Sequence, residues 1–284
     1  MQDYEIQEKD ILKIGRVKFA VKKIGYATDV ENADMDHNND KPLTIDAERG
    51  HAANSVLDKP NDELWEEFVE IYKAITTTEE CESNGEEPNK CRFCWLTEAS
   101  EENPLLQCCK CAGSVGCIHL ACLKSWLEVK RQSKESTNFS SFFWKTFECE
   151  ICKTAYPLMI KNKQQRYKLV EYQQQHGNYM VLESLNQEKN TSRIIHIIRP
   201  TPQKEVFKLG RGHESDLRIN DISVSRCHAK IKLENGKFML EDNQSKFGTL
   251  VLVKQRTPLI PGYNKAVQVG RTVINFSVKS NHSS

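Results

Sequence analysis

The sequence lacks any apolar run long enough to cross a bilayer, and its mean hydropathy is −0.60. It also lacks a strong charge of either sign, because 40 Lys and Arg residues nearly balance 39 Asp and Glu, for a formal net charge of +1. A chain without a clustered basic stripe has no electrostatic footprint for nucleic acid. We therefore expect a soluble protein with no membrane span and no nucleic-acid partner.

Cysteine, by contrast, is plentiful: the chain has 11 cysteines, and seven of them form four close pairs with one histidine. The pairs are Cys91 and Cys94, Cys109 and Cys111, His119 and Cys122, and Cys149 and Cys152. Two ligands in one tight turn can reach the same tetrahedral zinc, and eight ligands fill two sites without an open position for a catalytic water. The spacing therefore predicts two structural Zn²⁺ ions that hold the fold together.

Disulfides explain these pairs less well, because no apolar signal segment precedes them. We expect the remaining four cysteines to be free thiols, which suits a reducing cytoplasm or nucleus. These four are Cys81, Cys108, Cys117 and Cys227. The spacing alone leaves one alternative open, since Cys108 with Cys111 is also an acceptable second pair.

The stretch from the second pair to just past the third resembles the RING-CH domain, also called the RING-variant domain. That family has four cysteines, a histidine and three cysteines, with Gly-Ser after the fourth ligand and a Cys-Leu-x-x-Trp motif. Gly113, Ser114, Leu123 and Trp126 stand at those positions. The resemblance covers 91 to about 157 and favours Cys109 over Cys108 as a ligand.

The resemblance implies a cross-braced α+β fold in which the first and third pairs bind one zinc, and the second and fourth pairs bind the other. The first site would use Cys91, Cys94, His119 and Cys122, and the second site would use Cys109, Cys111, Cys149 and Cys152. The polar run 133–141 lengthens the usual interval before the last pair, and we expect it to be a surface loop.

Members of the RING-CH family generally act as E3 ubiquitin ligases of the scaffolding kind. The resemblance therefore implies two partners, a ubiquitin-conjugating enzyme (E2) and the ubiquitin that it carries. Candidate E2-docking residues are Phe93, Trp126, Lys153 and Pro157. For the two aromatic residues, packing in the core is the alternative interpretation.

A PHD finger, which reads histone tails, has the same ligand order and is a rival interpretation. It normally has a shorter gap before the histidine and a Trp two residues before the last pair, where this chain has Phe147. The metal pattern by itself does not fix the function.

From about 179 to 280, short strand-like runs alternate with Gly, Asn, Asp and Pro, which predicts an all-β sandwich. Its loops resemble those of the forkhead-associated (FHA) domain, which reads phosphothreonine. The matching residues are Gly210 with Arg211, Ser215 with Asp216, Ser223 to His228, and Ser245 to Thr249.

A phosphate carries nearly two negative charges at neutral pH and is held best by charge-assisted donors. By their positions in the FHA pattern, the candidate phosphopeptide-binding residues are Arg211, Ser225, Arg226 and Lys246. Phe247 stands where the family usually has the Asn that binds the peptide backbone, so this chain departs from the pattern at a residue that governs peptide selectivity.

The predicted fold class is a multidomain protein: a small zinc-stabilised α+β RING-CH domain, an all-β FHA-like sandwich and a partly disordered N-terminal region. Residues 1–28 are a β-hairpin-like segment of unclear fold whose pattern resembles that of 267–278. We place a flexible region at 29–90 with an amphipathic helix at about 61–76, the RING-CH domain at 91–157, a polar linker at 158–178 and the FHA-like domain at 179–280.

Together these features predict an E3 ubiquitin ligase that recruits an E2 through its zinc domain and a threonine-phosphorylated protein through its FHA domain. The alternative is a zinc-binding adaptor for phosphoproteins without enzymatic activity.

Overall fold

In the computed structural model, the described residues are 3–27, 75–77, 81, 89–157, 159–163, 165–171, 176–185, 192–254, 257–262 and 264–279. They fall into two compact units, one within residues 1–250 and the other within 251–284. The described part contains no helix with both the length and the apolar character needed to cross a membrane.

The first unit contains the helix α1 (Leu120–Val129), a 3-10 helix (Gly113–Val115) and most of the strands. The strands are β1 (Tyr4–Glu5), β2 (Ile11–Ile14), β3 (Val17–Gly25), β4 (Ile75–Thr77), β5 (Leu105–Leu106), β6 (Ile118–His119), β7 (Gln132–Glu135), β8 (Phe139–Trp144), β9 (Met159–Asn162), β10 (Gln165–Lys168), β11 (Tyr179–Leu185), β12 (Arg193–Ile198), β13 (Val206–Gly210), β14 (Leu217–Arg218), β15 (Ala229–Glu234), β16 (Lys237–Asp242) and, at the boundary, β17 (Thr249–Val251).

Two large sheets form the β-sandwich. The first has seven described strands in the order β17-β2-β3-β11-β12-β8-β7, and the second has five in the order β1-β16-β15-β13-β14. The zinc-ligand region adds the small pair β5–β6 and α1. A Cys-rich domain beside an all-β sandwich is the fold class that the sequence predicts.

The N-terminal segment, whose fold the sequence leaves unclear, is part of the sandwich. Strands β2 and β3 form a hairpin, and β3 pairs antiparallel with β11 along its length. The side chains of Leu12, Ile14 and Phe19 are at most 2% exposed. The sandwich therefore extends beyond the predicted boundaries of 179–280, because it takes in strands from the start of the chain.

Strands β11 and β12 are buried on both faces, which explains why their sequences read as continuous apolar runs rather than as alternating ones. All residues from Tyr179 to Glu183 are buried. Val181 and Ile197 share one apolar core with Leu123 and Leu127 of α1. The zinc-ligand region thus packs directly against one face of the seven-stranded sheet.

The predicted surface loop at 133–141 is wrong, because this segment forms the hairpin β7–β8. Strand β8 pairs antiparallel with β12 and extends the large sheet. Its aromatic residues favour a strand, and Trp144 at its end is 2% exposed. The Trp144 Nε1–H donates a hydrogen bond of 2.8 Å to the Leu127 carbonyl. The insertion therefore joins the zinc-ligand region to the sandwich.

The segment predicted to be a polar linker, 158–178, instead contains the hairpin β9–β10. Ile160 and Leu169 are at most 3% exposed and belong to the core around α1. Strand β4 pairs parallel with β9. Residues 75–76 of the predicted helix at about 61–76 thus lie in a strand, and the rest of that helix, with most of 29–90, lies outside the described residues.

The second unit consists of an antiparallel hairpin formed by β18 (Asn264–Val269) and β19 (Thr272–Ser277). The sequence places this hairpin within the FHA-like domain as its closing hairpin. In the structure β18 and β19 form a two-stranded sheet of their own, and the side chains of β19 are exposed.

Candidate functional sites

The four predicted ligand pairs come together as two clusters, each built from two pairs that are distant in the chain. One contains Cys91, Cys94, His119 and Cys122, and the other contains Cys109, Cys111, Cys149 and Cys152. Within each cluster, the ligand atoms lie within 4.8 Å of one another. The first pair joins the third and the second joins the fourth, so the two clusters interleave along the sequence.

The donor sets suit structural zinc. A tetrahedral site with Zn–S bonds of about 2.3 Å places two sulfurs about 3.8 Å apart. The sulfurs of Cys111 and Cys149 are 3.7 Å apart. In the other cluster, His119 Nδ1 lies 3.2 Å from Cys94 Sγ, so this ring nitrogen faces the thiolates. The residues therefore fit two Zn²⁺ ions, which is the expected cofactor content.

Arg92 is a site residue that the sequence reasoning missed. Its Nη1 lies 3.4 Å from the Cys149 sulfur and 3.9 Å from the Cys111 sulfur, and its Nη2 donates to the Tyr156 hydroxyl at 3.0 Å. Burial would raise the pKa of the Cys149 thiol, but the Cys152 amide and the Arg92 guanidinium outweigh it and lower this pKa to about 5. A basic residue inside the first ligand pair was the available signal.

The structure separates Cys108 from the ligands. Cys108 is buried outside both clusters, and desolvation raises the pKa of its thiol to about 12. The expectation of four further free thiols is wrong for two of them, because Cys81 and Cys117 form a disulfide. Cys108 and Cys227 are free.

The aromatic E2-docking candidates lie side by side. The rings of Phe93 and Trp126 stack with centroids 6.2 Å apart, and Tyr156 meets Trp126 edge-on at 6.0 Å. Both Phe93 and Trp126 are half-buried, so they pack on the domain and still present a surface.

The other two E2-docking candidates differ in exposure. Lys153 is exposed, and its amide donates to the Cys149 carbonyl at 3.0 Å. Pro157 is buried, so it packs within the domain rather than forming an exposed wall of a groove.

Three exposed apolar side chains near the ligand pairs were not predicted as site residues. Trp95, Leu96 and Ile151 are 74%, 59% and 59% exposed, respectively. Ile151 lies between Cys149 and Cys152, and Trp95 directly follows Cys94. A residue within or beside such a tight turn cannot reach the core, so its position next to a ligand was the signal that would have predicted its exposure.

The predicted phosphopeptide residues come from three loops that meet at Ser225. The Arg211 amide donates to the Ser225 carbonyl at 3.0 Å, and the Lys246 amide donates to the Ser225 hydroxyl at 3.2 Å. Arg211, Arg226 and Lys246 are exposed, and Ser225 is half-buried. Three cationic residues and one hydroxyl thus lie on loops joined by direct hydrogen bonds.

A buried histidine and a half-buried aspartate hold these loops in place. His228, fully buried, accepts the Ser225 amide on Nδ1 at 3.1 Å, and its Nε2 lies 3.0 Å from the Gly248 carbonyl. Asp242 accepts the hydroxyls of Ser245 and Thr249, each at 2.6 Å. Burial opposes the charge on Asp242, but these hydrogen bonds prevail and lower its pKa. These hydrogen bonds therefore fix the positions of the loops around Ser225.

Phe247, in the position where the FHA pattern has Asn, is 59% exposed. The Lys246 ammonium lies 5.4 Å from the centre of its ring. An exposed aromatic side chain thus stands at the position where the FHA pattern has an amide.

Comparison with known protein families identifies both domains. The RING-variant domain model matches residues 91–152, and the FHA domain model matches residues 207–270. The chain therefore contains a RING-variant domain and an FHA domain, as the two resemblances imply. No solved structure matches the chain.

Curated relatives match parts of the chain. The E3 ubiquitin-protein ligase MARCHF7 of Pongo abelii is 27% identical over 147 residues, which are 51% of this chain and 19% of that protein. The probable E3 ubiquitin-protein ligase MARCHF10 of Homo sapiens is 35% identical over 95 residues, which are 34% of this chain and 10% of that protein. The oxoglutarate dehydrogenase inhibitor of Corynebacterium glutamicum is 33% identical over 67 residues, which are 24% of this chain and 47% of that protein.

The alignment thus spans about a fifth of the length of the MARCHF7 relative.

Proposed function

Because the chain contains a RING-variant domain and an FHA domain, we propose that it is a RING-type E3 ubiquitin ligase directed to threonine-phosphorylated proteins. The observation that carries this proposal is the pair of interleaved Cys/His clusters in a domain whose named relatives are ubiquitin-protein ligases. Both clusters have four protein ligands, which suits structural metal rather than hydrolytic chemistry.

In this proposal the zinc domain acts by positioning and supplies no nucleophile. Bound zinc cross-links the ligand-bearing turns and so fixes the surface between them. The stacked Phe93 and Trp126 rings would contact an E2, since half-exposed aromatic residues are typical interface anchors. Lys153, exposed directly after the last ligand, would contact the E2 or its ubiquitin. Holding the charged E2 near a target lysine raises the effective concentration of the reactants.

The FHA domain would hold the target through its phosphate. Arg211 and Lys246 would pair with the phosphate charge, and Arg226 would add to the local positive potential. The Ser225 hydroxyl accepts the Lys246 amide and so keeps its own proton for donation to a phosphate oxygen. Because β8 pairs with β12, a bound target would be held at a defined distance from the E2 surface.

We further propose a cytoplasmic or nuclear location. Its support is chemical, because seven of the eight zinc ligands must stay reduced to bind metal.

An autoubiquitination assay with a panel of E2 enzymes tests the ligase proposal. We expect chain formation with at least one E2, and about 30-fold weaker activity for Trp126→Ala, as for loss of a hot-spot residue worth about 2 kcal/mol. Val129→Ala is the matched control, since Val129 lies on the same helix and is 87% exposed. Metal analysis must show two zinc ions in both variants. Inactivity with every E2 would contradict the proposal and favour the non-enzymatic adaptor.

Binding of phosphothreonine peptide libraries tests the second half of the proposal. Arg211→Ala should weaken binding at least about 10-fold, because a hydrogen bond to a charged group contributes about 1.5–3 kcal/mol. Arg166→Ala is the matched control, since Arg166 is also exposed but lies on β10, in the hairpin β9–β10. Equal binding of phosphorylated and unphosphorylated peptides would contradict phosphate recognition while leaving the ligase assay unaffected.

A further inference from the structure

The hairpins β2–β3 and β18–β19 share the same turn and the same spacing of apolar residues. Each has a two-residue Gly-Arg turn, which is Gly15–Arg16 in β2–β3 and Gly270–Arg271 in β18–β19. Both glycines have positive φ, at 61° and 59°. With the turns aligned, Leu12 corresponds to Val267 and Ile14 to Val269.

The correspondence continues along the second strand of each hairpin. Val17 corresponds to Thr272, Phe19 to Ile274 and Val21 to Phe276. Side chains two residues apart lie on the same face of a strand, and directly paired residues share a face. Each hairpin therefore has one apolar face of the same pattern.

The apolar face of β2–β3 is buried, whereas the apolar face of β18–β19 is exposed. The β2–β3 hairpin lies between β17 and β11, a place that we call the closing position, where Ile14 and Phe19 are 0% and 2% exposed. Their counterparts Val269 and Ile274 are 59% and 42% exposed. An isolated two-stranded hairpin is marginally stable in water, so an apolar face of this kind needs a partner.

Two further observations point to the closing position as the partner of the β18–β19 face. The FHA match runs through Gly270 and therefore includes β18, although β2 holds the place beside β17 in the structure. Residues 252–263 connect β17 to β18, and twelve residues can span about 40 Å at about 3.3 Å each. This tether is long enough to return β18 to the side of β17.

The closing position also contacts the phosphopeptide loops. The Arg16 amide donates to the Ser223 hydroxyl at 2.8 Å, and the Arg16 guanidinium lies 3.4 Å from the Asp221 carboxylate. Ser223 precedes Ser225 by two residues on the same loop. The second hairpin has an arginine, Arg271, at the position of Arg16, so either hairpin can present the same contact to this loop.

We propose that the closing position of the sandwich has two alternative occupants, the N-terminal hairpin β2–β3 and the C-terminal hairpin β18–β19 of the same chain. The structure holds the first occupant, and the second then exposes its apolar face. Exchange releases the N-terminal hairpin and leaves the sandwich closed. This inference is independent of the proposed ligase function.

Hydrogen–deuterium exchange of the full chain tests the exchange. Phe19→Asp places a charge on the buried face of β3 and should expel the N-terminal hairpin. We expect amides of 11–25 to lose protection, amides of 264–277 to exchange roughly ten-fold more slowly, and β11 to stay protected in a monomeric protein. Continued fast exchange at 264–277 would overturn the proposal.

A matched set of second-site variants sharpens the test. Ile274→Asp alone should have no effect on β11, since Ile274 is 42% exposed. The Phe19→Asp, Ile274→Asp double variant should lose the protection of β11. The Phe19→Asp, Ile274→Val double variant should keep that protection. Protection of β11 in the Phe19→Asp, Ile274→Asp double variant would refute the exchange. A dimer in Phe19→Asp would show instead that a second copy is the partner.

Discussion

Trp144 connects the zinc domain to the sandwich, and its replacement is a sharp test of the fold. Its side chain is 2% exposed, meets Phe147 edge-on at 5.7 Å and donates to the Leu127 carbonyl. A buried Trp→Ala substitution costs about 3–5 kcal/mol through lost transfer free energy and the cavity left behind. The Leu127 carbonyl also loses its indole donor near the end of α1, which adds about 1 kcal/mol.

Trp144→Ala should therefore lower the free energy of unfolding by about 4–6 kcal/mol, a large part of the 5–15 kcal/mol typical of a folded protein. Urea unfolding followed by fluorescence and by circular dichroism measures the change. Trp95→Ala is the control of the same residue type, and at 74% exposure it should cost less than about 0.5 kcal/mol. A cost below about 1 kcal/mol for Trp144→Ala would refute the role of the insertion as a joint.

Further predictions concern the metal, the pH response and two single positions. Native mass spectrometry should find two zinc ions per chain, and chelation should unfold residues 91–157; an unchanged fold after metal removal would contradict this. Burial lowers the pKa of His196 from 6.5 to about 4, because the folded protein disfavours the charged imidazolium. The contribution of the neutral His196 to the free energy of unfolding should be fully present above pH 6.5, and this free energy should fall by up to about 3 kcal/mol as the pH is lowered to 4. Urea midpoints against pH should show this slope, and His196→Gln should flatten it. Gly15→Ala should cost more than Gly270→Ala in thermal unfolding, because a Cβ at Gly15 would lie 2.4 Å from Ser223 Oγ, whereas no described atom lies within 4 Å of one at Gly270. Phe247→Asn should strengthen phosphopeptide binding about five-fold in calorimetry by restoring one hydrogen bond worth about 1 kcal/mol, and unchanged affinity would show that the aromatic residue does not limit binding.

The four metal-ligand pairs were predictable because their determinants are local. Two thiols with one or two residues between them can bind the same metal regardless of the surrounding fold. The roles of the loop residues around Ser225 stay a prediction that rests on the resemblance to the FHA pattern. Arg92 was missed because its contact with Cys149 spans 57 positions, and its place inside the first ligand pair does not tell which sulfur it contacts.

The insertion at 133–141 shows why loop prediction failed. Its Ser, Lys and Asn residues are typical of a surface loop, and only the following aromatic residues favour a strand. The edge of β12 provides the partner that turns this segment into β8. That edge is formed more than 50 residues later in the chain, so no local window contains the information.

By itself, the sequence determined the four metal-ligand pairs, since each pair depends on residue type and short spacing. The resemblance to the RING-CH family supplied which pairs share a site. The tertiary structure alone decided which segments complete the large sheet. The two Gly-Arg hairpins have the same apolar pattern, and a pattern of alternation specifies a face without specifying a neighbour. Strand pairing is settled by non-local backbone hydrogen bonds and by burial against both adjoining layers, which only the folded chain supplies.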